Sequence, residues 1–124
     1  MSTRKPYITW TVKGTDYKLR LSTRQACEVE EKLGVNLLKI FMPQPGEQFN
    51  LPPLKVMLLV VQGALQKFHH GIKLDDVYDL FDDYIDEGYG QTELMTDIIV
   101  PLFEVSGFIP RNKEKEESTL TAVE

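Results

Sequence analysis

Residues 7–21 read YITWTVKGTDYKLRL, and the alternation in that stretch decides how the chain begins to fold. Ile8, Trp10 and Val12, then Tyr17, Leu19 and Leu21, recur at every second position, the period of a half-buried strand. Lys13-Gly14-Thr15-Asp16 lies between the two runs and allows a two-residue turn with Gly14 at its first central position. That register sets Val12 opposite Tyr17, Trp10 opposite Leu19 and Ile8 opposite Leu21, all on one face. The other face then pairs Thr11 with Lys18 and Thr9 with Arg20. Two strands alone are marginal in water, so the apolar face must pack on later parts of the chain.

The segments after the hairpin read as helices. Ser22 with Gln25 three residues later forms a capping box, opening a helix to Leu33 with Gly34 just past its end. Ala26, Val29 and Leu33 are its buried stripe, and Cys27 is expected to be a small buried apolar residue. Asn36 can cap a short helical turn through Phe41, which Pro43-Gln44-Pro45-Gly46 must terminate, leaving 43–53 as a loop carrying Phe49 and Leu51. Pro52 and Pro53 suit the first turn of a helix running to about Phe68 and stopped by Gly71. That helix is apolar nearly all round, so it is central to its domain or shares a side with another chain.

From Leu74 to Glu87, Leu74, Val77, Tyr78, Phe81 and Ile85 mark one face and aspartates the other. Thr92 can cap a last helix through Ser106, with Pro101 inside it to kink it. Gly107 ends that helix, and Phe108 and Ile109 fold back on the core. The fold expected is α+β and mainly α-helical: an N-terminal β-hairpin packed on about four to five helices. Residues 1–6 read as an arm, 7–110 as a single globular domain and 111–124 as a flexible charged tail.

Charge is segregated along the chain. Fourteen Lys and Arg against nineteen Asp and Glu give 14 − 19 = −5 overall. Between Leu74 and Glu104 there are ten acids and no Lys or Arg, whereas residues 1–40 hold eight bases against four acids. Opposed potentials of −10 and +4 suit head-to-tail self-association or capture of a basic partner segment, because they steer encounter and fix orientation. The candidate partner-binding residues are accordingly Asp75, Asp79, Asp82, Asp83 and Asp86, with Phe68, Tyr78, Phe103 and Phe108 as apolar anchors. The longest aliphatic run, Val56 to Val61, is far short of the ~18 residues a membrane span needs, and the expected location is the cytoplasm.

No catalytic or ligand-binding pattern has the spacing its chemistry requires. Cys27 is the only cysteine, which excludes an intrachain disulfide and a cysteine-based zinc cluster. His69-His70 has no third histidine and suits a helix C-terminus. Placing Gly88 at the sixth position of a calcium loop leaves Ile85 and Leu94 where ligands are required. Gly88-Tyr89-Gly90 lacks the strand-to-helix context and lysine of a phosphate loop. Ser22, Thr23 and Cys27 have no positioned base. The reading is of no enzyme, no metal and no cofactor, and an acidic chain with a weak basic hairpin face is not read as a nucleic-acid binder.

Several phrases, in order, carry a resemblance: Tyr17-Lys18-Leu19-Arg20-Leu21-Ser22-Thr23-Arg24, Glu30-Glu31-Lys32-Leu33-Gly34, Leu65-Gln66-Lys67-Phe68-His69-His70-Gly71-Ile72, Asp82-Asp83-Tyr84 and Val105-Ser106-Gly107-Phe108. Over roughly Tyr7 to Pro110 the chain resembles the tail assembly chaperones of long-tailed bacteriophages of Gram-positive hosts. The resemblance implies a non-enzymatic factor of the host cytoplasm, absent from the mature virion, that binds the tape measure protein and helps deliver tail tube protein. It also implies a frameshift-extended form of the same chain, and a homo-oligomer. The alternative is a head-tail joining or tail completion protein retained in the particle. A long helical partner would be held helix-in-groove, with the helices Leu54–Phe68 and Leu94–Phe108 supplying the apolar contact.

Overall fold

The structure is a computed structural model that describes residues 7–41, 46 and 51–109. It opens with a two-stranded antiparallel sheet, β1 (Ile8–Val12) and β2 (Thr15–Leu19). The register differs from the expected one by two residues. Val12 pairs with Thr15, Trp10 with Tyr17 and Ile8 with Leu19. The turn is Lys13-Gly14, with φ of 51° and 79°. Positive φ at both central residues twists the turn with the strands, so glycine takes the second central position rather than the first. A shift of two leaves every side chain on its expected face. Trp10, Val12 and Leu19 are therefore still buried, with Ile8 and Tyr17 packed at the margin.

The far edge of β2 is fastened to distant parts of the chain. The Lys18 N–H donates to Nε2 of His69 (3.1 Å), the Arg20 N–H to the Ala64 carbonyl (3.0 Å) and the Leu21 N–H to Oγ of Ser106 (2.9 Å). Helix α1 (Thr23–Leu33) starts where expected, with the Ser22 half of the capping box in place, Ser22 Oγ accepting from the Gln25 N–H at 3.2 Å, and ends at Gly34 in the left-handed region. Cys27 is exposed, contrary to expectation. It lies one residue, about 100° of helix, round from Ala26, and the core-facing stripe of Ala26 and Val29 is too narrow to include it. Asn36 Oδ1 caps α2 (Leu37–Phe41) by accepting from Leu38 and Lys39. Phe49 and Pro110, like the proposed arm and tail, lie outside the described residues.

Helix α3 (Leu54–Leu65) is the axis of the domain, packed by α1, by β2, by α4 (Leu74–Asp86) and by the last helix. Pro53 flanks it rather than entering its first turn. It ends at Leu65, short of Phe68, where Gln66 turns the chain back: its side chain donates to the carbonyls of Gln62 and Ile72 and accepts from the Gly71 N–H. At Gly63 a Cβ would sit 3.1 Å from Val29 Cγ2 and 3.4 Å from Leu21 Cδ1, so this glycine sets how closely α1 approaches α3. The surplus apolar surface read from 54–68 is thus largely absorbed by the chain itself: Met57, Leu58, Val60, Val61, Ala64 and Leu65 are all buried.

The last helix is continuous but of two pitches, a π-helical stretch (Leu94–Ile99) between α5 (Gln91–Glu93) and α6 (Val100–Ser106); it starts behind Gly90, so Thr92 lies inside it rather than capping it. The Val100 N–H donates to the Met95 carbonyl five residues back, immediately before Pro101. A proline ring collides with the carbonyl four residues upstream, and the wider turn gives it room. Gly107 (φ 89°) closes the helix in a Schellman motif. The Phe108 N–H meets the Phe103 carbonyl (2.9 Å), and the two rings lie edge to face at 6.3 Å.

Candidate functional site

Helix α4 carries the acidic face. It begins without a Ser, Thr or Asx cap; instead Asp76 Oδ2 reaches back to accept from the Lys73 N–H at 3.0 Å. Its core side keeps Val77 and Phe81 of the expected face, with Leu74 packed at the margin, but adds Tyr84 in place of Tyr78 and Ile85. Trp10 selects this rotation: its ring meets Tyr84 edge to face at 5.4 Å, and Tyr84 in turn stacks on Tyr89 at 4.7 Å. Burial first, then the charges of Asp97 and Glu93 and the neighbouring Tyr89, push the Tyr84 hydroxyl up from 10.0 to about 12. The Trp10 indole N–H is buried and has no hydrogen-bond partner among the described residues.

Turning the helix toward Tyr84 leaves Tyr78 (37% exposed) and Ile85 (47%) in solvent. They are seven residues apart, two turns along one line. Asp75, Asp79, Asp82 and Asp86 run beside them, all exposed. Asp86 meets Lys13 Nζ at 4.0 Å. Asp75, Asp79, Asp82 and Asp83 have no ion-pair partner within 4 Å among the described residues, and α4 itself holds no cation. The result is an apolar ridge bordered by unrelieved negative charge.

The remaining anchors fall in two other places. Phe68 is 37% exposed and forms a corner with Tyr7, their rings edge to face at 5.5 Å. Lys18 Nζ lies over both rings (4.8 and 5.9 Å), and Lys67 Nζ lies 6.0 Å from Phe68. Phe103 is buried, its ring at right angles to Phe41, and Phe108 is half-buried beside it. Both line an apolar groove of about 140 Å³ between α1, α2 and the end of α6, whose wall includes Ala26, Leu37 and exposed Leu38, with Cys27 on the rim.

The structure therefore distributes the predicted residues over a ridge, a corner and a groove. Sequence reading missed Ile85 as an exposed residue, Lys67 as the partner of Phe68, and Leu38 as a groove wall. For Leu38 the signal was present: a five-residue helix with apolar residues at 37, 38, 40 and 41 cannot bury all of them on one side. A second cavity, of about 290 Å³, lies between α1 and α3 and is lined by Gln25, Gln62, Gln66, Lys32 and Lys73 among others. The side chains of Gln62 and Gln66 are engaged there in holding the 66–72 turn.

A small α+β domain of hairpin and helices, with charged and apolar surface features, is the class these features define. The chain belongs to DUF6096, a family of unknown function, whose profile matches residues 4–124. No curated protein and no solved structure matches the chain. Among the described residues no helix is long and apolar enough to cross a membrane, and no group of three or more His, Cys, Asp or Glu is placed to hold a metal ion.

Proposed function

We propose that this chain is a non-enzymatic tail assembly chaperone of a long-tailed bacteriophage. In this reading it holds a helical segment of the tape measure protein in the host cytoplasm and helps recruit tail tube protein, leaving before the virion is complete. The ordered phrases between Tyr17 and Phe108 support the reading at the level of sequence. The observation that carries it is the open groove walled by Leu37, Leu38, Phe103 and Phe108, an apolar slot for an anchor residue of a partner helix. The groove replaces the α3 surface expected from sequence, since the apolar side chains of α3 are mostly committed to the core.

The test is binding of the purified chain to helical fragments of the tape measure protein encoded beside it. Leu38→Glu, a change at an exposed groove wall, should weaken binding at least tenfold, about 1.4 kcal/mol or more. Charge reversal at Asp79, Asp82 and Asp83 should weaken it less, since rim charges act mainly on association rate. A bound fragment should also shield Cys27, at the groove rim, from alkylation. Binding unaffected by Leu38→Glu, with Cys27 equally reactive, would move the site elsewhere; no binding at all would reject the reading. Peptides of this chain in purified particles would favour the joining or completion alternative. Intact mass analysis during phage production should show a minor, longer form sharing the first ~110 residues, if this chain follows the two-form pattern the resemblance implies.

A further inference from the structure

We infer that copies of this chain associate head to tail, the Lys18–Lys67–Phe68–Tyr7 corner of one seated on the α4 ridge of the next. The inference deepens the self-association that belongs to the chaperone reading and needs no tape measure protein. Each patch has the same plan with opposite sign. On the ridge, Tyr78 and Ile85 form an exposed apolar line flanked by Asp75, Asp79 and Asp82. At the corner, Phe68 and Tyr7 form an edge-to-face pair beneath the ammonium of Lys18, with Lys67 beside Phe68.

Among the described residues neither patch finds its complement within its own copy. Lys18 and Lys67, like Asp75, Asp79 and Asp82, have no ion-pair partner within 4 Å among the described residues. The aspartates meanwhile repel one another along the helix at the 75–79 spacing, with nothing on α4 to relieve them. A second copy supplies both what the ridge lacks in charge and what the corner lacks in apolar cover. Opposite potentials orient the encounter, and the ring and aliphatic surfaces hold it. Because the two patches are different surfaces, the contact is heterologous. It generates a ring where the rotation closes and an open string of copies where it does not, rather than a two-fold dimer.

The test is sedimentation velocity on the purified chain at low and high salt. The wild type should grow in size with concentration and shrink as salt is added, since exposed charges are screened beyond about 8–10 Å at physiological ionic strength. Lys18→Glu/Lys67→Glu places acid against acid at every junction, and Asp79→Lys/Asp82→Lys places base against base; each alone should lose association. An equal mixture of the two should recover it, because every junction between unlike variants again joins opposite signs. A mixture that stays monomeric, or a wild type that is monomeric at low salt, overturns the proposal. As a measurement independent of variants, a zero-length carbodiimide cross-linker on mixed heavy- and light-isotope wild type should join Lys18 or Lys67 of one copy to Asp79 or Asp82 of another. Cross-links confined to single copies also overturn it. Failure here leaves the groove and the tape measure reading untouched.

Discussion

Helices α3 and α4 both carry more apolar surface than a one-sided helix needs, and the fold treats them in opposite ways. α3 is surrounded by α1, β2, α4 and the last helix, so residues on most of its circumference vanish from solvent. α4 packs chiefly on α3 and β1, and two neighbours cover only the arc of Val77, Phe81 and Tyr84. Tyr78 and Ile85 are left over. Apolar content thus does not distinguish core from contact surface; the number of elements able to reach a helix does.

The comparison can be broken most severely in α3. Leu65→Ala removes a fully buried side chain and should cost ~2–5 kcal/mol in urea unfolding. Gly63→Leu forces a side chain into the gap held by Val29 and Leu21 and should cost ~1–3 kcal/mol, read from the same transition. At the junction of hairpin and α4, Trp10→Ala should cost ~3–5 kcal/mol. Trp10→Phe should recover much of that, because discarding the unpaired indole N–H offsets part of the lost area. As the single tryptophan, Trp10 should also emit at short wavelength and resist iodide quenching in the folded state.

Alkaline titration sharpens the same junction. Below pH 10 Tyr84 is protonated in both folded and unfolded chains and contributes no pH dependence. Between pH 10 and about 12 the unfolded chain releases its proton while the folded chain keeps it, so stability falls as pH rises through that window. Tyr84→Phe should flatten the fall, seen as urea midpoints at pH 9 and pH 11 that lie closer together than in wild type. The smallest effect belongs to the ridge: Tyr78→Ala should change stability by within ~0.5 kcal/mol. A cost near that of Leu65→Ala would mean that the ridge is core.

How much of the fold was legible in the sequence depends on how local each decision is. The caps at Ser22, Asn36 and Gly107 involve residues within a turn or two, and they stand where the sequence places them. The apolar face of the hairpin was legible because strand parity survives a slip of two. The register was not, because Lys13 had to accept φ of 51° for Gly14 to take the second turn position. The rotation of α4 was hidden for a different reason. Its apolar arc spans Leu74 to Ile85, and the part that faces inward is set by distant partners, α3 and, more than sixty residues upstream, Trp10 of β1. The groove draws on α1, α2 and α6, so no single periodic segment could announce it.

The fastening of β2 has a kinetic meaning. The amide of Lys18 and, just beyond the strand, those of Arg20 and Leu21 are held by His69, Ala64 and Ser106, acceptors 51, 44 and 85 residues further along the chain (69 − 18, 64 − 20, 106 − 21). None of these bonds can form until the helices have assembled, so the first segment of the chain is among the last to lock. In hydrogen exchange the amides of Lys18, Arg20 and Leu21 should therefore report cooperative opening of the whole domain. Such protection would make the hairpin edge a gauge of global integrity, although a two-stranded ribbon near the chain's beginning would ordinarily fray first.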